Sequence, residues 1–345
     1  NIRLGYTGRF VDDSFKATEY NLTVEHASDF PSLDGFSLDD YYNRDNLSSG
    51  WFKIQKNVDK YTVTKNIHSA YAEATYQFTS RWIVNLGLKY DYVDINVDYN
   101  VNRGGSEGSN TIRKDYFLPS LNLKYNLNEK HSLRLGASKT YTLPQAKEIS
   151  PYRYVGVNFN SQGNPNLKPS DNYNFDLKWD FNPSPTELVS LTAFYKHIKE
   201  PISRIEVASA GGYLSYENIS DCAIVAGVEV EIRKNLFVRP LSSAANGMNK
   251  LSFGLNGSYI YTNAKMPLAT VTTGSQLEGA APWIANFDLS HHFTRDERSF
   301  VNTLVLNYVS DKIYTIGTQG YQDIMERGLV TLDFVSQARL NKYLS

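Results

Sequence analysis

The sequence predicts an all-β chain, a portion of an antiparallel, up-and-down transmembrane β-barrel. Three observations predict it. Short segments alternate apolar and polar residues with a period of two, the side-chain period of a strand with one face in each of two environments. The connections between these segments alternate in length, long then short. The composition has no run of eighteen apolar residues and a mean hydropathy of −0.42, yet holds 25 Tyr and 17 Phe. A barrel strand averages out as polar even when its outer face lies in lipid, and rings with a polar edge favour the membrane–water interface.

The clearest segments run from Asp171 to Ile202. Tyr173, Phe175, Leu177, Trp179 and Phe181 fall on one side, and Asn174, Asp176, Lys178 and Asp180 on the other. A turn at Asn182 to Pro185 leads into Val189, Leu191, Ala193 and Tyr195, set against Ser190, Thr192 and Lys196. Before this pair, Ile2, Leu4 and Tyr6 begin a strand expected to end near Phe10. The polar stretch to about Lys60 reads as a loop. A strand from about Ile67 to Phe78 follows, then one with Trp82, Val84, Leu86, Leu88, Tyr90 and Tyr92 on one face. Its phase flips there, with Val93, Ile95 and Val97 becoming the apolar set. Either a bulge or a strand emerging into a differently packed rim would do this. The glycine-rich stretch Asn102 to Asn110 reads as a loop before strands around Leu121 to Leu127 and Leu133 to Ala137. Four prolines make Pro144 to Pro169 irregular. Further strands centre on Ile224 to Ile232, Leu251 to Tyr261, Trp283 to Leu289, Leu304 to Tyr308 and Val330 to Phe334.

Short turns are expected at Thr79-Ser80, Asn128 to Lys130, Asn182 to Pro185 and Thr294 to Glu297, with a longer one near Leu236 to Asn249. Long external loops are expected near 11–60, 98–112, 142–169, 207–220, 263–281 and 313–327. Up-and-down outer-membrane barrels sort their loops this way, whereas a sandwich has no reason to. No tandem repeat of the propeller kind is present.

A formal net charge of −1 gives no signal for nucleic acid. Cys222 stands alone and reads as an inert packed thiol. No Gly-x-Ser-x-Gly elbow or His-Glu-x-x-His helix is present, so no enzyme is expected. His291 and His292 are adjacent on a strand and point to opposite faces, so they cannot chelate one ion together. The acidic stretch Asp29 to Asp45 lacks the spacing of a calcium loop and reads as solvated. No metal site and no cofactor are expected.

Asn66-Ile-His-Ser-Ala-Tyr-Ala-Glu and Asn85-Leu-Gly-Leu-Lys-Tyr-Asp resemble consecutive barrel strands of TonB-dependent outer-membrane transporters. Leu118-Pro-Ser-Leu-Asn-Leu-Lys-Tyr and Leu133-Arg-Leu-Gly-Ala-Ser-Lys-Thr-Tyr look like the next two. Gly163-Asn-Pro-Asn-Leu-Lys-Pro169 is similar to the family's Gly-Asn-Pro-x-Leu-x-Pro element, where the chain re-enters the barrel. Phe194-Tyr195-Lys196 with Pro201-Ile202, and Gly227-Val-Glu-Val-Glu231, continue the resemblance, which is closest to versions from the Bacteroidota.

The resemblance implies a barrel of twenty-two strands around an N-terminal plug that engages the inner-membrane energy-coupling protein TonB. This chain would supply roughly strands nine to twenty, with the plug outside it. It implies energised import of a nutrient, such as a metal chelate or haem, across the outer membrane of a Gram-negative bacterium. A glycan or peptide importer beneath a lipoprotein lid is the alternative, and a structural or adhesive barrel is the reading from another class. Outer-membrane lipids and a surface lipoprotein join the plug and TonB as expected partners. Inward charges expected to face the plug are Glu73, Lys89, Asp91, Arg134, Asp176, Lys178, Glu229, Glu231 and Arg233. Loop residues expected to meet a ligand are Tyr41, Trp51, Phe52, Tyr152, Arg153, Tyr154, Tyr213 and Tyr321. Gly163, Asn164, Pro165, Leu167 and Pro169 are expected to form a rigid lead-in that fixes register, in preference to a ligand site.

Overall fold

A computed structural model describes residues 1–24, 39, 42–102, 106–209, 212–241, 247–265 and 276–340. The strands in the first half are β1 (Ile2–Val24), β2 (Phe52–Gln77), β3 (Trp82–Val101), β4 (Ser106–Asn126), β5 (His131–Thr142), β6 (Arg153–Tyr154), β7 (Ser161–Gln162), β8 (Ser170–Phe181) and β9 (Leu188–Lys199). Those in the second half are β10 (Ile202–Val207), β11 (Tyr213–Asn218), β12 (Cys222–Pro240), β13 (Met248–Ala264), β14 (Trp283–Arg295), β15 (Arg298–Val309), β16 (Lys312–Thr315), β17 (Ile324–Glu326) and β18 (Leu329–Arg339). Two short helices, α1 (Arg44–Ser48) and α2 (Ala146–Ile149), sit in the long connections.

Twelve strands form one sheet in the order β1-β2-β3-β4-β5-β8-β9-β12-β13-β14-β15-β18. Every neighbour is antiparallel and next in the chain once the loop strands are set aside, which is the meander of an up-and-down barrel wall. β1 and β18 are its two edges.

The wall turns its apolar alternates outward. Ile2, Leu4, Leu86, Leu88, Leu135, Leu177, Leu304 and Leu306 all lie exposed on that face. Leu177 is 52% exposed between Leu135 and Ala193, an arrangement that suits hydrocarbon and would be costly in water. Near the short turns the outward rings pair: Trp82 stacks on Tyr125 at 4.3 Å, and His131 on Phe181 at 4.4 Å. At the other end lie Tyr90 and Phe117, at 5.2 Å, and Tyr259 and Trp283, at 4.6 Å. Two such girdles bracketing an aliphatic band mark the two interfaces of a spanned bilayer.

Glycine lets one wall residue lean on another. Tyr71 lies across Gly5, its cross-strand partner, where a Cβ would occupy the space of the ring.

Several boundaries differ from expectation. β1 continues to Val24 and β2 begins at Phe52, so both ends of the 11–60 stretch, residues 11–24 and 52–60, form a two-stranded ribbon. Polar residues fall on both of its faces among scattered apolar ones, so no alternation shows in the sequence. β4 likewise begins at Ser106, inside the expected glycine-rich loop. β12 and β13 pair out to Pro240↔Met248 through a register shift between Asn235 and Phe237, which shortens that connection toward the others on its side. Pairing of β3 stays continuous through Tyr92 and Val93, so the phase flip is not a bulge. There the strand leaves the apolar band, and Val93, Ile95 and Val97 are buried on the inner face by the 142–169 connection. Cys222 is exposed rather than packed, because it stands on the outward row at the upper end of β12.

Substituting outward Leu177 with Arg should cost about 2–4 kcal/mol, since the midplane of a barrel's lipid face tolerates a guanidinium poorly. Lys178→Gln, on the inner face, should cost under about 1 kcal/mol. Equilibrium folding of the full-length protein into lipid vesicles measures both.

Candidate functional site

Above the wall, three long connections fold into a cap. β6 and β7 come from the connection before β8, and β10 and β11 from the one before β12; together they form a sheet in the order β10-β11-β7-β6. The β16–β17 hairpin joins through a parallel bridge between Ile205 and Ile316. The Glu206 amide donates to the Ile316 carbonyl at 2.9 Å, and the Ile316 amide to the Arg204 carbonyl at 3.1 Å. Two apolar clusters pin the cap to the wall. One sets Ile149 and Leu167 against Tyr61, Val63, Val93, Ile95 and Tyr116. The other gathers Ile205, Ile219, Leu277, Ile313 and Ile316.

Gly163 to Pro169 is the fastener of this assembly. A Cβ on Gly163 would collide with the carbonyls of Lys147, Glu148 and Ser150. The Asn164 side chain donates to the Tyr216 carbonyl at 2.9 Å and accepts from the Asn166 amide at 3.0 Å. Asn110 donates to the Pro165 carbonyl, and Leu167 is buried. Asn218 closes the far end, accepting from the Lys168 amide at 2.9 Å and donating to the Lys168 and Glu200 carbonyls at 2.9 and 2.8 Å. One heptapeptide thereby satisfies backbone carbonyls of α2 and β11, at Glu148 and Tyr216, and is itself held by side chains of β4 and β11.

The cap encloses a cavity of about 770 Å³ lined by Lys147, Tyr154, Phe159, Arg204, Tyr216 and Tyr314, among others. Its two cations lie over rings, Lys147 Nζ 4.5 Å from the centre of Tyr154 and the Arg204 guanidinium 4.3 Å from that of Tyr314. Glu278 holds Arg204 from behind: its carboxylate pairs with Nη2 at 3.2 Å and accepts from the Arg204 amide at 2.5 Å. Arg204 Nε is buried with no hydrogen-bond partner among the described residues. Burial lifts the Glu278 carboxyl above the usual range, opposed by the Arg204 amide and guanidinium, and burial also lifts the Tyr216 hydroxyl. Cations fixed over aromatic faces can hold a planar or anionic ligand.

The expected ligand residues are only partly gathered here. Tyr154 lines the cavity, with its hydroxyl bonded to that of Tyr61. Tyr152 packs on Phe15 at 4.8 Å, in the pinning cluster. Arg153 lies over Tyr213 at 4.6 Å on the flank of the cap sheet. Trp51 and Phe52 are at the far end of the β1–β2 ribbon, where Phe52 pairs with Val24 and is buried against Tyr42. That lies roughly 30 Å along the ribbon from Phe15, at a strand's rise per residue. Tyr321 is exposed and does not line the cavity. Tyr41 and most of the acidic stretch lie outside the described residues. Lys147, Phe159, Arg204, Tyr216 and Tyr314 escaped the sequence reading.

On the inner face of the wall the expected charges largely answer one another. Lys89 pairs with Asp91 at 2.9 Å and Arg233 with Glu231 at 2.8 Å. Arg134 and Lys178 share Asp180 at 3.4 and 3.5 Å. Glu73 accepts from Asn85 at 2.6 Å, Asp176 stands over Gly136, and Glu229 shares the face. His291 bonds Asn249 at 2.8 Å, an ordinary satisfied wall histidine.

Wall, girdles and cap define a transmembrane β-barrel receptor. The chain belongs to the family described as TonB dependent receptor-like, beta-barrel, whose pattern fits residues 2–338. Among solved structures it is similar to the ferric yersiniabactin uptake receptor FyuA from Yersinia pestis, with a TM-score of 0.57 and 16% identity over 83% of this chain and 40% of that one. It is also similar to the siderophore receptor PiuA from Acinetobacter baumannii, with a TM-score of 0.56 and 14% identity over 99% of this chain and 47% of that one. The copper transporter OprC gives a TM-score of 0.58 at 12% identity over 84% of this chain and 45% of that one. An iron-regulated outer membrane virulence protein of Vibrio cholerae is 31% identical over 91 residues, 26% of this chain and 14% of that protein. The chain therefore spans less than half the length of each of these relatives, and the structural likenesses establish the fold.

Gly163→Ala should loosen the cap by about 1–3 kcal/mol while leaving the wall intact, because the new methyl meets backbone on three sides. Faster hydrogen exchange confined to α2, β11 and the 163–169 segment is the expected readout. Since the folded pKa of Glu278 is raised, its contribution to cap stability is full below the ordinary glutamate range and is lost as pH rises through the folded value. Protection of the Arg204 amide, corrected for intrinsic exchange, should fall over that window, and Glu278→Gln should flatten the dependence.

Proposed function

We propose that this chain is the greater part of the barrel of an energised importer in the outer membrane of a Gram-negative bacterium. Its plug and remaining strands belong to the same protein, meet the edges β1 and β18, and engage TonB. The observation that carries the reading is the cap cavity, whose Lys147 and Arg204 lie over aromatic rings at the long-loop mouth of a membrane-spanning wall. The ligand that suits it is an anionic, ring-bearing metal chelate, with haem in the same chemical class. Relatives named for ferric siderophores, for copper and for iron regulation support this choice over a glycan or peptide. Binding to the fixed cations is followed by release through the lumen when the plug is drawn. The paired inner-face charges supply polar groups for the plug without leaving a charge stranded in a closed interior.

Arg204→Ala in the full-length protein should weaken binding of a ferric catecholate chelate by about tenfold or more, and Lys147→Ala by a smaller factor. Tryptophan fluorescence titration measures both. Unchanged affinity in both variants, with the cap still protected from proteolysis, would rule out the cavity as the ligand site.

A further inference from the structure

A second cationic group lies outside the cavity, on the outward face of the wall where β5, β8 and β9 leave the apolar band. In register, Lys139, Tyr173 and His197 form one outward row, directly above Ala137, Phe175 and Tyr195. The ammonium groups of Lys139 and Lys199 sit 5.6 and 5.5 Å from the centre of the Tyr173 ring. Asp171 binds Lys139 at 3.5 Å and Lys114 at 3.1 Å. Lys139 and Lys199 thus flank one ring on a surface where wet and greasy layers join, while the Asp171 carboxylate is shared between Lys139 and Lys114, which stands on the inner-face row of β4 in register with Val93. Beside them opens a cleft of about 570 Å³ that also takes in Arg113 and Lys168, each with its own carboxylate in Asp94 and Glu200. Immediately below, small Ala193 leaves an apolar groove of about 280 Å³ between Leu135, Phe175, Leu177 and Tyr195.

We propose that this patch binds a phosphorylated lipid of the surrounding leaflet, with the phosphate on Lys139 and Lys199 and an acyl chain in the Leu135–Phe175–Ala193 groove. The proposal rests on the outer-membrane orientation given above, which puts the long-loop end of the wall at the outer leaflet. Charge and shape both point to an amphiphile. A free anion would use the lysines but not the groove, and a hydrocarbon chain the groove but not the lysines. Tyr173 holds both ammonium groups by their attraction to its ring while its body stays in the interface, so the cations are prepaid in position. Lysines near an anionic lipid surface attract phosphate strongly, and two of them set the affinity of a headgroup.

Full-length protein in a non-ionic detergent, titrated with dioleoyl phosphatidic acid and followed by native mass spectrometry, tests this. The wild type should retain phosphatidic acid at least about tenfold better than the Lys139→Gln/Lys199→Gln double variant. Ala193→Phe, which fills the groove and leaves the charge alone, should also weaken retention of the long-chain lipid. Equal retention by wild type and double variant, equal retention of phosphatidylcholine, or competition by inorganic phosphate at the lipid's own concentration would each overturn the proposal. The importer reading is tested separately: it fails if Arg204→Ala and Lys147→Ala leave chelate binding unchanged, whatever the lipid result.

Discussion

A backbone amide or carbonyl in hydrocarbon has no water to turn to. Each must be paired within the protein, and a sheet of consecutive antiparallel strands pairs them all except along its two edges. Everything regular in this chain follows from that requirement. Strands must be long enough to cross, their outward alternates must be apolar, and their inward alternates are free to be charged. The turns on one side can be minimal, as where the Asn128 side chain accepts from both Lys130 and His131 at 2.9 Å. Length accumulates on the other side, where water again satisfies the backbone and side chains can organise a binding surface.

The parts of the fold under that constraint were legible. Phe175, Leu177 and Trp179 against Asp176, Lys178 and Asp180 could be read directly, because one environment repels what the other accepts. Where both faces meet water the signal vanishes. Lys16, Glu19 and Asn21 on β1 pair with Lys60, Asn57 and Gln55 as regularly as any membrane residue, yet nothing in their order announces a strand. The change of apolar face at Val93 was visible, but its cause was a distant segment folding back inside the rim.

The cavity was the least readable part, for a related reason. Its lining comes from Lys147, Arg204 and Tyr314, residues far apart in sequence and each unremarkable in its own stretch. Aromatic content pointed to loop tyrosines, and Tyr154 does line the cavity, whereas Trp51 and Phe52 are carried away on the β1–β2 ribbon. A cation over a ring is a pairwise fact, and no single-residue property marks it. In the Gly163 to Pro169 element, by contrast, glycine and proline declare their backbone demands locally. What it clamps could be learned only from the carbonyls of Lys147, Glu148 and Ser150 crowded around Gly163.

The bridge between Ile205 and Ile316 ties together segments more than a hundred positions apart. Between them in the chain lie β12 to β15. The hairpins joined by tight turns rest on local contacts, whereas the cap rests on contacts between distant segments, which carry a larger loop-closure cost. The crown of the molecule is thus a certificate of assembly: a wall with a strand missing or misplaced would present loose ribbons to the quality-control proteases of the cell envelope, and only a finished one would present a closed surface to its surroundings.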